Sequence, residues 1–367
     1  MVDRAGRGRP YRIEESMTVS LKSLIEEWEG IGVVMRYDKP TGTWIFIALH
    51  DDTLGPPTGG TRMKVYPSPA LALRDAMRLG AGMTRKWAAV DLHYGGGKAV
   101  LAVPRILQGE ERVGLLTRYG RLIESLRGTF GTGVDMGTTP DDMLVISQVT
   151  SYVHGVDRET GQTIDPGPFT ARGVFAGIRA AVKFAYGSED MRDRVVHVQG
   201  LGDVGGPLAR MLKEGGAHLV LSDLDTRRAE SLAEELGDTE AFEPHTAYAA
   251  PCDVYAPCAV GATLNAESIP EPKCRVVVGS ANNQLQEPED AGRLFERGIL
   301  YAPDYIVNAG GAIALGLRSR GVTSQSEIYE RVDAIGASLA EILIEASAAN
   351  ESPVYTAERV VERRLKR

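Results

Sequence analysis

Cysteine is scarce in this chain of 367 residues: Cys252, Cys258 and Cys274 are an odd number, lack the paired spacing of a zinc site and have no histidine cluster beside them. They read as small buried hydrophobes of a reducing compartment, which argues against a disulfide framework and against a structural metal. Positive charge is short as well. Lys and Arg number 41 against 49 Asp and Glu, a net charge of −8, so neither nucleic acid nor an anionic membrane is the expected partner. No apolar run approaches the roughly 20 residues needed to cross a bilayer. Residues 1–16 carry Arg4, Arg7, Arg9 and Arg12 without an apolar stretch, and read as a flexible tail, not as a secretory signal. What remains is an ordinary globular balance, 43% hydrophobic and 25% charged, in a chain long enough for two domains. The expectation is a cytoplasmic α/β protein.

The first half mixes helices and strands. Met17, Leu21, Leu24, Ile25 and Trp28 recur at helical spacing, predicting a helix over 17–29. Val33–Tyr37 and Thr43–Ala48 flank a turn at 38–42 and predict a hairpin. Ser68 is a candidate N-cap with Pro69 at the first helical position, and the helix continues through Leu73, Ala76, Met77 and Met83. Residues 87–103 read as a strand interrupted by Gly95-Gly96-Gly97, and 115–126 as a helix. A polar, turn-rich stretch at 155–168 is a candidate hinge. Beyond it, helices over 170–186, 203–214 and 226–236 alternate with strands at 194–199, 217–222, 252–256, 275–279 and 299–302. That alternation indicates a parallel sheet covered on both faces. The final segment from Ser326 is helical and amphipathic.

The strand Val195–Gln199 runs directly into Gly200-Leu201-Gly202-Asp203-Val204-Gly205 and then a helix. In that context Gly200 permits the tight turn, Gly202 a close approach to a pyrophosphate, and Gly205 close packing of helix on strand. The helix N-terminus offers unpaired N–H groups to phosphates. Asp223 ends the next strand, 23 residues after Gly200, where a carboxylate accepts from a ribose 2′-hydroxyl and repels a 2′-phosphate. NAD is therefore the expected dinucleotide, with Arg227 and Arg228 nearby. The alternative is a structural strand–turn–helix in which Asp223 caps the following helix.

Three charged residues of the first half stand in apolar or glycine-rich surroundings: Lys86 beside Trp87-Ala88-Ala89, Lys98 between Gly95-Gly96-Gly97 and Ala99–Val103, and Asp135 after Gly131–Val134. A lysine so placed loses solvation, its pKa falls, and it becomes available as a general base. The three glycines would let a substrate or a nicotinamide ring come close to the backbone.

Gly59-Gly60-Thr61-Arg62-Met63, Met83–Lys86, Gly95–Lys98, Asp135–Thr138, Gly279–Gln284 and Asn308–Gly311 together resemble the glutamate/leucine/phenylalanine/valine dehydrogenases, in the family order and with the 12-residue step from Lys86 to Lys98. The resemblance spans about residues 17–360. It implies two domains: a mixed α/β substrate-binding and catalytic domain over 17–166, with 335–367 packing back on it, and a Rossmann-type NAD-binding domain over 167–334. It further implies oxidative deamination of an L-amino acid to a 2-oxo acid and ammonia in the cleft between them. By position, Lys86 holds the α-carboxylate, Lys98 activates water, and Asp135 shuttles protons at the amino group. The implied substrate set is Lys86, Gly60, Met63, Gly133, Asn282, Asn308, Ala312 and Leu315. The implied dinucleotide set is Thr170, Gly200, Gly202, Asp203, Val204, Gly205, Asp223, Cys258, Ala259, Ala281, Asn282 and Asn308. Family members assemble through the first domain, so a homo-oligomer is expected.

The glutamate branch of the family places a lysine and a serine where this chain has Thr58 and Leu315. A second carboxylate would meet no cation there, at a cost of several kcal/mol, so an apolar side chain is expected. Gly133 and Leu315 resemble the phenylalanine branch, whereas Gly279–Gln284 and Cys258–Thr263 look closer to leucine dehydrogenases; the substrate is leucine, valine, isoleucine or phenylalanine. Arg85 departs from the family's usual tyrosine, and His93-Tyr94 before the glycines also departs. A catalytically idle NAD-binding or ligand-sensing protein on the same fold is the alternative.

Overall fold

The computed structural model describes residues 21–157, 160–243 and 250–366. The opening helix is seen from Leu21 to Trp28; residues 17–20 and the tail lie outside the described residues. The first sheet contains β1 (Gly32–Asp38), β2 (Thr43–Asp51), β3 (Pro57–Lys64), β4 (Gly95–Ala102) and β5 (Gly131–Val134), in the order β1-β2-β4-β3-β5. β1 and β2 form the expected antiparallel hairpin, and its turn is tied by the Thr41 hydroxyl donating to the Asp38 carboxylate at 2.6 Å. β4 runs antiparallel to β2 and parallel to β3, and β3 is parallel to β5. Ser68 caps the Pro69–Ala89 helix, accepting from the Leu71 N–H at 3.3 Å.

β4 is buried along its whole length, and the two-residue alternation of a strand sorts its side chains between two layers. Ala99 and Leu101 pack with Leu115, Leu116 and Tyr119 of the Gly109–Ser125 helix. Val100 and Ala102 pack with Ala72, Ala76 and Met77 of the Pro69–Ala89 helix. By the same alternation Lys98 belongs to the second layer, beneath the helix that carries Lys86. That is how two ammonium groups twelve residues apart come to face each other.

Two expectations need correction here. Trp87–Ala89 close the helix and do not begin a strand; β4 starts at Gly95, so the three glycines lie inside it. Their space is also filled by protein, not left for a ligand. A Cβ at Gly96 would run into Thr84, and one at Gly97 would lie 2.9 Å from the Phe130 ring. Gly96 lets the Pro69–Ala89 helix approach the sheet closely, while Gly95 and Gly97 make room for Asp51 and for the Phe130 ring.

The second sheet is parallel throughout: β6 (Val195–Gln199), β7 (His218–Ser222), β8 (Thr239–Ala241), β9 (Val254–Pro257), β10 (Val276–Val277) and β11 (Leu300–Tyr301), in the order β11-β10-β9-β6-β7-β8. The chain leaves β6 toward β7 and later returns to β9 on the other side. This is the doubly wound Rossmann order, whose crevice opens above the carboxyl ends of β6 and β9. The Gly167–Tyr186 helix packs against the Gln325–Ala349 helix, which ends at Asn350 in the left-handed region (φ 51°). The Pro353–Leu365 helix then lies on the Pro69–Ala89 helix, where Arg364 donates to the Ala88 and Ala89 carbonyls at 2.7 and 2.6 Å. Those carbonyls belong to the last turn of a helix, where the i→i+4 ladder has ended; that of Ala88 also accepts from the Asp91 N–H at 3.2 Å. Of residues 335–367, therefore, 335–349 ride on the second domain and the last helix touches the first. Cys274 is buried, Cys252 and Cys258 are half-buried, and all three are free thiols. Among the described residues no helix is long and apolar enough to cross a membrane, and no group of His, Cys, Asp or Glu is arranged to hold a metal.

Candidate active site

A cleft of about 570 Å³ separates the two sheets, walled by Lys86, Lys98 and Asp135 on one side and by Thr170, Asn282 and Asn308 on the other. Asp135 follows β5 and lies beside Lys98 of β4, with Oδ1 2.8 Å from the Lys98 Nζ; the two side chains are only 16% and 6% exposed. Its second oxygen is 2.8 Å from Arg62 Nε, supplied by the intervening β3. Burial pushes the Asp135 carboxyl up, but Lys98 and Arg62 outweigh it and hold the group at about 2. Burial lowers Lys98 below the ordinary lysine range, with Asp135 opposing. Lys86 falls to about 8: burial leads, Asp304 opposes and the Lys98 charge adds to the fall. Both lysines thus shed a proton more readily than a surface lysine does.

Contact across the cleft is direct. Lys86 Nζ donates to Asn282 Oδ1 at 3.4 Å, and that oxygen also accepts from Asn308 Nδ2 at 3.1 Å. Asn308 Nδ2 further reaches the Ser280 carbonyl at 3.1 Å, while its own Oδ1 is buried with no partner among the described residues. Asp304 takes backbone N–H bonds from Gln284 (3.2 Å) and Tyr305 (2.7 Å); burial raises its pKa and Lys86 opposes the rise. Thr170 Oγ1 accepts from the Gly311 N–H at 3.1 Å, which ties together two helix starts at the cleft floor.

The inner end of the cleft is apolar. Gly133, Leu315, Ala312 and Thr58 line it, and a Cβ on Gly133 would sit 3.7–3.8 Å from His154 and Leu315, so its absence leaves room between them. Ser319 Oγ lies 2.9 Å from the Leu315 carbonyl and 2.6 Å from His154 Nδ1, bridging the two. Burial takes His154 down to about 4 and keeps it neutral. Thr58 donates to the Pro56 carbonyl at 3.0 Å, so neither Thr58 nor Leu315 offers a cation at this end. Gly60 lies at the rim, where a Cβ would meet Asp135 at 2.9 Å. Met63 does not line the cleft: it is buried behind β3, and its sulfur accepts from Arg112 at 3.4 Å.

Above β6 the glycine turn has three different surroundings. Gly200 has φ +87°, and a Cβ there would lie 2.7 Å from Ala259. A Cβ at Gly205 would strike the Gly200 carbonyl oxygen, whereas Gly202 faces open space. The Gly205–Glu214 helix begins at this turn, with Val204 before it. Val204 also lines the cleft, while Asp203 is exposed beside the turn. Asp223 accepts from the Leu201 N–H at 2.7 Å and from the Asp225 N–H at 2.9 Å, with Arg228 at 3.4 Å. These donors outweigh burial and hold its carboxyl below the usual range. Cys258 and Ala281 bracket the crevice: Cys258 N–H donates to the Gln199 carbonyl at 2.7 Å, and Ala281 N–H to the Pro257 carbonyl at 3.0 Å. An open cradle over Gly202, a helix start and a fixed carboxylate at Asp223 fit a dinucleotide.

Arg62, Asp304 and His154 escaped the sequence reading. Arg62 stands in a quoted motif, yet its ion pair with Asp135 joins residues 73 positions apart. Arg85, the departure beside Lys86, is exposed on the cleft rim, while Tyr94 packs on Trp87 (5.0 Å) and donates to the Gly316 carbonyl at 3.1 Å.

The chain is similar to known proteins. A family model described as Glu/Leu/Phe/Val dehydrogenase, dimerisation domain, matches residues 33–152, and one described as Glutamate/Leucine/Phenylalanine/Valine dehydrogenase matches 166–363. A leucine dehydrogenase of Bacillus cereus is 40% identical over 351 residues, covering 95% of this chain and 94% of the relative. A phenylalanine dehydrogenase of Lysinibacillus sphaericus is 39% identical over 319 residues, covering 86% and 83%. The crystal structure of L-tryptophan dehydrogenase from Nostoc punctiforme superposes with a TM-score of 0.79 at 36% identity, over 95% of this chain and 98% of that one.

Proposed function

The chain belongs to the glutamate/leucine/phenylalanine/valine dehydrogenases and is an amino-acid dehydrogenase, and on that premise we propose that it oxidatively deaminates an apolar L-amino acid with NAD. The division of labour follows the domains, 17–166 for substrate and 167–334 for coenzyme. The observation that carries the reading is the Lys98–Asp135 ion pair on the wall of the same cleft that the Lys86–Asn282 contact spans. Lys86, kept protonated by the bound α-carboxylate itself, holds that carboxylate as a point charge. Lys98, once deprotonated, takes a proton from the water that adds to the iminium carbon. Asp135, ionised in the resting site, takes up a proton from the substrate nitrogen and passes it on, shuttling protons there. Asn282 and Asn308 orient the reactants, and Thr170 meets the carboxamide of the coenzyme. When bound, the nicotinamide supplies the acceptor for the α-hydride. Asp223 favours NAD over NADP because its carboxylate repels a 2′-phosphate.

The apolar inner end selects the side chain. Leucine, valine, isoleucine and phenylalanine all match it chemically, and a methylene more or less discriminates by only about 1–3 kcal/mol. Broad specificity within this class follows. Glutamate would bury its γ-carboxylate beside Thr58 and Leu315 without a counter-charge. In a panel of L-amino acids followed by NADH absorbance at alkaline pH, the apolar substrates are expected to exceed glutamate by about 10²-fold or more in kcat/KM. Turnover of glutamate at the apolar level would overturn the side-chain assignment, and no turnover with any apolar member would overturn the reaction. We place self-association on the first domain, where the edge strand β1 carries exposed Met35 and Tyr37.

A further inference from the structure

Asp135 belongs to a longer row of charges. Lys98 lies 2.8 Å from its Oδ1, Arg62 Nε lies 2.8 Å from its Oδ2, and Arg62 Nη1 lies 3.0 Å from Asp75 Oδ2. The Tyr66 hydroxyl donates to that same Asp75 oxygen at 2.7 Å. Arg62 and Asp75 are only 11% and 15% exposed, so the row is largely withdrawn from solvent, and only Arg78, 3.0 Å from Asp75, opens to it. The elements explain the alignment. Arg62 on β3 is in register with Val100 on β4, two residues beyond Lys98, and the Pro69–Ala89 helix above them supplies Asp75. Asp75 itself does not line the cleft.

We propose that Asp75 is a positioning residue for the reaction: by neutralising Arg62 from behind, it fixes the geometry and the charge balance of the Arg62–Asp135 unit that holds Lys98. The proposal rests on Lys98 being the base. The groups that face Lys98 are Asp135 from the end of β5, Arg62 from β3, and Asp75 and Lys86 from the Pro69–Ala89 helix; on β2 its partner is Ala48, and His50 bonds Thr84. The signs are separable. The negative charge of Asp75 favours the Lys98 ammonium and the positive charge of Arg62 disfavours it. Asp75→Asn keeps the shape and removes the negative charge, so Lys98 loses its proton more easily. Arg62→Gln removes the positive charge, so Lys98 holds its proton more tightly.

The test is the pH profile of kcat/KM for the full-length enzyme. The acid limb, which rises as the base deprotonates, is expected to move down by about half to one pH unit in Asp75→Asn and up by a similar amount in Arg62→Gln. Asp75→Glu restores the charge and is expected to return the limb toward the parent position. A purely structural role would scale the whole profile without moving it. An unmoved limb in a folded Asp75→Asn enzyme, or shifts of the same sign in the two variants, overturns the proposal. If Asp75→Asn fails to fold, Arg62→Gln decides alone: no upward shift overturns it. An active Lys98→Ala enzyme would instead remove the underlying reading, so the two failures are distinguishable.

Discussion

Lys98→Ala is expected to lower kcat by about 10³-fold while leaving dinucleotide affinity within a factor of about three, as measured by initial rates and by fluorescence titration with NADH. The two observables separate because the residue belongs to one domain and the glycine turn to the other. Lys98 sits on β4 with its ammonium on Asp135, on the first-domain wall of the cleft, whereas the glycine turn follows β6 of the second domain. A general base contributes roughly 10²–10⁴-fold, and burial that lowers Lys98 below the ordinary lysine range is what makes an amine serviceable as one. Removing it also leaves Asp135 with Arg62 as its near partner, so the carboxylate stays paired and the fold is spared an uncompensated charge. The wild-type enzyme should gain activity as pH rises through the Lys98 pKa. A variant that keeps parental turnover would take Lys98 out of the base role, and one that loses coenzyme affinity as well would point to collapse of the cleft.

How much of this was visible before folding depends on distance along the chain. The β1–β2 hairpin, the Ser68 cap and the glycine turn after β6 were legible because each is decided by neighbours within a few residues. β3 and β5 escaped notice. Pro57-Thr58-Gly59-Gly60 and Gly131-Thr132-Gly133 have little strand propensity, and they are strands because β3 is held between β4 and β5. The same tertiary pressure moved the start of β4, since the glycines that interrupt the apolar pattern are what the close-lying neighbours require: the helix at Gly96 and the Phe130 ring at Gly97. In the site, Lys86, Lys98 and Asp135 stood out through motif spacing. Arg62 and Asp304 did not, because an isolated charge reads as solvated surface until its partner on another element is known.

The glycine turn supports a second large effect, expressed as a contrast between two methyl groups. Gly205→Ala forces a Cβ onto the Gly200 carbonyl oxygen, at a point where the Gly205–Glu214 helix begins after β6. Backbone has to move, overpacking of this kind costs about 1–3 kcal/mol, and the melting temperature is expected to fall by about 3–10 °C. Gly202→Ala meets no protein atom within 4 Å, so it should melt within about 1 °C of the parent. Its methyl nevertheless enters the space over which a pyrophosphate would lie, and NAD affinity is expected to drop by about 10- to 100-fold. Calorimetry and NADH titration on both variants check the pair. Equal coenzyme affinity in Gly202→Ala and the parent would mean that the open space above this turn is not where the dinucleotide binds, whatever the stability of Gly205→Ala.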